Sequence, residues 1–129
     1  MPDFTRILRV SQKDLDELNH VNNIRYLEWV QEISKAHWQK ATEDVEVGEY
    51  LWVVKKHTIT YHQSAVLNDE IKISTRVLEW RGPVSTRFVE IKNNKSQQLL
   101  VSATTEWCLL KAETWKPARA PEHIKKLFL

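Results

Sequence analysis

The stretch Asn22-Asn23-Ile24-Arg25-Tyr26-Leu27-Glu28-Trp29-Val30-Gln31-Glu32-Ile33-Ser34-Lys35-Ala36-His37-Trp38-Gln39-Lys40-Ala41 decides the fold. Tyr26, Trp29, Val30, Ile33 and Ala36 recur at spacings of three and four, the period of one helix face. Ile24 and Leu27 flank that face, and Glu28 and Glu32 stand apart from it. Asn22 suits the N-cap, because its side-chain oxygen can accept from a first-turn amide. The helix fades before the acidic segment Glu43 to Gly48. It is apolar over more than a narrow stripe, which suits a helix wrapped by a curved sheet.

On both sides of this helix the period shortens to that of strands. Phe4 to Val10 reads as a short strand, and Gln12 to Asn19 is a polar, acidic loop. Tyr50 to His62 is rich in Val, Ile, Thr, Tyr and Trp. From Asp69 to Trp80, Ile71, Ile73, Thr75 and Val77 alternate with Lys72, Ser74 and Arg76. Arg81-Gly82-Pro83 is a turn, Val84 to Lys92 a third long strand, Asn93 to Ser96 a hairpin loop and Gln98 to Leu110 a fourth. Ala118 to Leu129 ends in a short helix. Short connections favour antiparallel pairing, so the expected class is α+β, an antiparallel sheet of about five strands around one long central helix.

At 129 residues the chain is expected to form one domain, residues 1–129. Two glycines cannot build a Gly-rich phosphate loop. Lys and Arg number 19 against 17 Asp and Glu, too small an excess for a dedicated nucleic-acid binder. The single cysteine, Cys108, has no internal partner for a disulfide and lies in a strand pattern as a packing residue, which points to a reducing compartment. No apolar run approaches the ~18 residues of a membrane span, and Met1 to Val10 lacks a signal-peptide core, so the expected location is cytoplasmic. No His, Cys, Asp or Glu spacing suggests a metal site.

The stretch that carries chemistry feeds the helix: Asp14-Leu15-Asp16-Glu17-Leu18-Asn19-His20-Val21-Asn22-Asn23. The first amides of a helix lack internal acceptors, and the helix dipole adds partial positive charge there. Such a place can stabilise an oxyanion. A carboxylate beside it, Asp16, can attack a carbonyl or activate a water. The plain alternative is that these Asp and Asn residues are caps and charge complements, and that His20 is a hydrogen-bonded loop residue.

This segment resembles the signature of the hotdog-fold thioesterases, in their 4-hydroxybenzoyl-CoA thioesterase branch. That signature has Asp-x-Asp, then His-Val-Asn-Asn, a Tyr three residues on and a Glu further along the helix. Here these are Asp14, Asp16, His20 to Asn23, Tyr26 and Glu28 or Glu32. Tyr61 to Ala65 with Leu67 to Glu70, Thr104 to Trp107, and Lys116 to Pro121 are similar to later segments of the family. The resemblance implies the hotdog fold and hydrolysis of acyl-CoA to free acid and CoA, with no cofactor. It implies Asp16 as nucleophile or general base, the Asn23 backbone amide as donor to the thioester carbonyl, and His20 as a further catalytic residue. It implies Asn22 and Tyr26 at the substrate, and CoA in a groove between subunits of a homodimer or homotetramer. Arg81, Arg87, Lys92 and Lys95 are candidates for the CoA phosphates by charge and strand-end location, against a plain reading as solvated surface.

The same residues, with Arg25 and Trp29, are also similar to the motif of acyl-ACP thioesterases. Leu18 stands where that family has Asn and Ser64 near its later Glu, and two hotdog units do not fit in 129 residues, so acyl-CoA is preferred to an acyl-carrier protein. A non-catalytic acyl-binding hotdog domain is the other alternative, and the arrangement of a hotdog dehydratase is missing. Trp29, Trp38, Trp52, Trp80 and Trp107 are expected at an acyl pocket, in the core or at a subunit interface.

Overall fold

Asn22 caps the central helix in the computed structural model, which describes residues 3–129, by accepting from the Ile24 amide at 3.0 Å. The helix, α1, runs Asn23–Thr42, and its buried residues are Tyr26, Trp29, Val30, Ile33, Ser34, Ala36 and His37. Ser34 Oγ donates to the Val30 carbonyl at 2.9 Å, which satisfies a hydroxyl inside the core. Thr42 Oγ1 closes the last turn on the Trp38 carbonyl at 2.7 Å.

Around α1 lie the strands β1 (Phe4–Arg9), β2 (Tyr50–Tyr61), β3 (Glu70–Arg81), β4 (Val84–Asn93) and β5 (Leu99–Lys111). They form one antiparallel sheet in the order β1-β3-β4-β5-β2. The β3–β4 hairpin pairs Arg81 with Val84 across a two-residue turn, and Gly82 takes φ +58, a left-handed conformation that glycine adopts without steric cost. Register shifts interrupt β2 at Val54/Lys56, β3 at Val77/Glu79 and β4 at Ile91/Lys92. Such bulges bend and twist a sheet, here around a helix. The order of elements, the α+β class and the hotdog wrapping all follow the sequence expectation, with strand ends shifted by about one residue. The acidic loop before the helix holds one further element, a 3-10 turn at Gln12–Asp14.

Two clusters fill the interior. The larger joins Tyr26, Trp29, Val30 and Ile33 of α1 to Ile71, Ile73, Val89, Ile91, Val101 and Ala103 of the sheet. Each such side chain fully removed from water contributes about 1.5–3 kcal/mol. The smaller gathers Val77, Ile124 and Phe128 with Trp38 and Trp80, so the C-terminal helix α2 (Glu122–Lys125) and the turn after it close that end.

Of the three places expected for the tryptophans, the chain's interior is where most of them lie. Trp29 and Trp107 are buried. Trp38, Trp52, Trp80 and Phe128 stack on one another inside the chain at centroid distances of 5.3 to 6.1 Å. Trp115 alone of the six is exposed.

Candidate active site

The loop before α1 is built as a small hairpin. Leu15 bridges Val21, and the Asp16 amide donates to the His20 carbonyl at 2.8 Å. Asn19 turns the tip with φ 61, a left-handed conformation that asparagine tolerates well. Within this tip Asp16 Oδ1 accepts from the amides of Leu18 at 2.9 Å and His20 at 3.4 Å. Its second carboxylate oxygen accepts no hydrogen bond among the described residues, and the side chain is half-buried. The Asp16 carboxylate is therefore oriented through one oxygen, and the other is free of protein partners among the described residues.

The hairpin base is locked to the helix start. The Asn22 amide donates to the Asp14 carbonyl at 2.9 Å. The Asp14 side chain is buried and accepts from the Ser11 amide at 2.8 Å and from Arg25 Nε at 2.9 Å. Burial pushes the Asp14 carboxyl up, but the hydrogen bonds from Ser11 and Arg25 outweigh it and hold the group below its ordinary value. Arg25 also reaches Glu28 and Glu32 at 3.3 Å and lies over the Trp29 ring at 5.0 Å. This clamp was not expected as part of the site. Its signal was present, because Asp14 and Arg25 both belong to the quoted motifs and are opposite in charge.

The Asn23 amide, the first of α1, donates to no protein acceptor among the described residues. The neighbouring donor, Ile24, is spent on the Asn22 cap. Tyr61 Oη donates to the Asn23 carbonyl at 3.3 Å. Asp16, His20, Asn22 and Asn23 thus stand together on one loop and one helix start. The His20 ring is exposed and makes no hydrogen bond among the described residues, while His20 bridges Val66 through its backbone. Around it lies an open depression walled by Leu15, Leu18, His20, Val66 and Leu67.

Of three expected substrate residues, Tyr26 is buried beneath the site, and Arg87 and Arg81 lie elsewhere. Tyr26 is 1% exposed, and its hydroxyl accepts from the Ala65 amide at 2.8 Å. It pins the β2–β3 connection against the helix and has no free surface for substrate. Arg87 is buried at 5% exposure in the middle of β4, not on a solvated strand end. Its Nη1 lies 2.9 Å from His37 Nδ1 and 3.4 Å from Thr75 Oγ1. Arg81 is exposed on the β3–β4 hairpin, 3.8 Å from Glu79. β3 begins at Glu70, beside the loop that meets His20, so Arg81 lies at the strand's other end, about 36 Å of strand away. Among the described residues no group of three or more His, Cys, Asp or Glu side chains is arranged to hold a metal ion.

A sequence model described as the thioesterase-like superfamily matches residues 10–128. The chain belongs to the thioesterase-like superfamily. Membership places it among thioester hydrolases. Solved structures of thioesterases share its fold. The chain is similar to Slr0204, a 1,4-dihydroxy-2-naphthoyl-CoA thioesterase from Synechocystis, with 18% identity, TM-score 0.84 and coverage of 98% of this chain and 96% of that one. It is similar to YbaW, a probable thioesterase from Escherichia coli, with 22% identity, TM-score 0.82 and coverage of 96% and 95%. It is similar to SAV2348 from Staphylococcus aureus, solved in complex with CoA, with 14% identity, TM-score 0.86 and coverage of 98% and 81%. No curated protein sequence matches the chain. No helix among the described residues is long and apolar enough to cross a membrane.

Proposed function

We propose that this superfamily member hydrolyses acyl-CoA thioesters to free acid and CoA. One observation carries the reading: a carboxylate with a free oxygen, Asp16, on a hairpin locked to a helix whose first amide, Asn23, has no acceptor. The thioester carbonyl oxygen accepts from that amide, and the helix dipole favours the charge that develops on it. Asp16 either attacks the carbonyl carbon or takes a proton from the attacking water. CoA leaves as the thiolate and takes up a proton, and where Asp16 has attacked, water then hydrolyses the acyl–Asp16 anhydride to the free acid and restores the carboxylate. Asn22 keeps the amide aimed by capping the turn, and His20, with its ring free in the depression, faces the acyl or pantetheine portion. The CoA complex of SAV2348, a structural relative, favours CoA over an acyl-carrier protein as the carrier.

The working unit is a homodimer. β2 is an edge strand of 12 residues that among the described residues pairs only with β5, and Val53, Val54 and Tyr61 on it are exposed. Leu18, Ile24, Val66 and Leu67, all exposed, surround the candidate site. A second copy laid along these surfaces covers an edge that would otherwise invite nonspecific pairing. Arg81 then serves the partner's site, since within its own chain it lies at the far end of β3.

Release of free thiol from a panel of acyl-CoAs of graded chain length, with aromatic members, tests the reading. Turnover of one or more is expected. Tight acyl-CoA binding with no turnover across the panel would establish a binding domain instead.

A further inference from the structure

Beyond the candidate catalytic loop the chain holds a second cavity, of about 120 Å³, between the C-terminal half of α1 and the sheet. Its walls include the indoles of Trp38, Trp52, Trp80 and Trp107, and Arg87 and Lys35 are the charged members. It begins at Ser34, 11 positions after Asn23, so it starts about 17 Å along the helix from the candidate oxyanion donor. A ring joined directly to a thioester at this chain's own helix start does not reach it.

Arg87 makes this cavity unusual. It is buried, yet no carboxylate pairs with it among the described residues. Nη1 meets His37 and Thr75, and the guanidinium lies over the Phe128 ring at 5.5 Å. Nε and Nη2 have no acceptor among the described residues, and Arg87 forms part of the cavity wall. Burial lowers its pKa only to about 10, so it remains a cation at neutral pH. Two further donors in the walls, the buried Nε1 of Trp52 and of Trp107, also lack acceptors. A buried charge without an opposite partner is costly, and a ligand that supplies one is favoured.

The remaining features narrow the ligand. Four indoles without a cation in the wall would suit a quaternary ammonium. Arg87 and Lys35 reverse that preference, and no acidic side chain lines the cavity. A small inorganic anion gains nothing from indole walls in exchange for its hydration. The volume is near the ~150 Å³ of an apolar protein cavity that admits one benzene ring. We propose that this cavity binds a compact aromatic carboxylate, its ring among the tryptophans and its carboxylate on Arg87.

The test uses three ligands with one ring and different charge: benzoate, benzamide and benzylammonium. Binding to the wild-type protein is read by calorimetry and by tryptophan fluorescence, which the wall indoles make sensitive. Benzoate is expected to bind at least about tenfold more tightly than either of the others. R87Q, checked for folding by circular dichroism, is expected to lose that preference, and R87K to retain part of it. Benzylammonium or benzamide binding as tightly as benzoate overturns the proposal, as does the absence of benzoate binding at millimolar concentration. Benzoate preference that survives in a folded R87Q also overturns it. If R87Q does not fold, the charge comparison in the wild type and R87K decides.

Discussion

His37 shows how one side chain ties stability to pH. It is 9% exposed, stacked on Phe4 at 5.0 Å and beside the cationic Arg87. Burial first, and Arg87 second, lower its pKa from 6.5 to about 4, with Asp3 opposing weakly. The unfolded chain therefore binds more protons than the folded one between those two values. His37's contribution is complete above pH 6.5 and is lost as pH falls towards 4, by about 3 kcal/mol in all. Urea unfolding across that range should show a steeper loss of stability in the wild type than in His37→Asn, whose side chain does not titrate. Parallel curves would show that His37 is not the cause. His37 and Arg87 also show what the sequence held unread. His37 follows Ile33 by four residues on the buried helix face, and Arg87 is in phase with Val89 and Ile91 along β4. Strand parity thus marked Arg87 as inward, while its charge suggested the surface. Tyr26 stood in the apolar stripe from the outset. The resemblance attached a substrate contact to it, but a fully packed phenol holds its own chain.

At the scale of elements, the helix and four long strands were legible because periods of 3.6 and 2 extend over 10 to 20 residues in each. The hairpin from Asp16 to His20 was not, since it is set by side-chain to backbone bonds and one left-handed Asn19 rather than by apolar periodicity. The junction of that hairpin, α1 and the β2–β3 connection depends on single polar contacts. Tyr26 Oη is the acceptor for the Ala65 amide. Tyr26→Phe keeps the ring and strands a buried donor, so it should cost about 1–3 kcal/mol in urea unfolding. Asn22→Ala should cost about 1 kcal/mol by removing the cap, and should also slow hydrolysis by loosening the amide next to it. Unchanged stability in both variants would mean that the junction is held by apolar packing alone.

For the molecule as a whole, the element order and the wrapped sheet followed from the sequence, whereas the grouping of four tryptophans at one end did not. Strand patterns tell inward from outward, but they do not say which inward residues share a height along the helix. The tryptophans meet inside one chain, so the surface for a second copy is argued from the free edge of β2 and the exposed Val53 and Val54. Sedimentation should give twice the 15.3 kDa chain mass. Val53→Lys should shift the protein toward monomer and reduce hydrolysis with it. A wild-type monomer with full activity would remove the shared groove from the mechanism.

The role of Asp16 is tested most directly by thiol release from the best acyl-CoA substrate by wild type and by Asp16→Asn, at matched fold and assembly. Asparagine keeps the acceptor oxygen for the Leu18 and His20 amides but can neither attack the carbonyl nor hold a proton from water. The expected result is a fall in kcat of about a hundredfold or more with KM little changed. Hydrolysis by Asp16→Asn at the wild-type rate would contradict it.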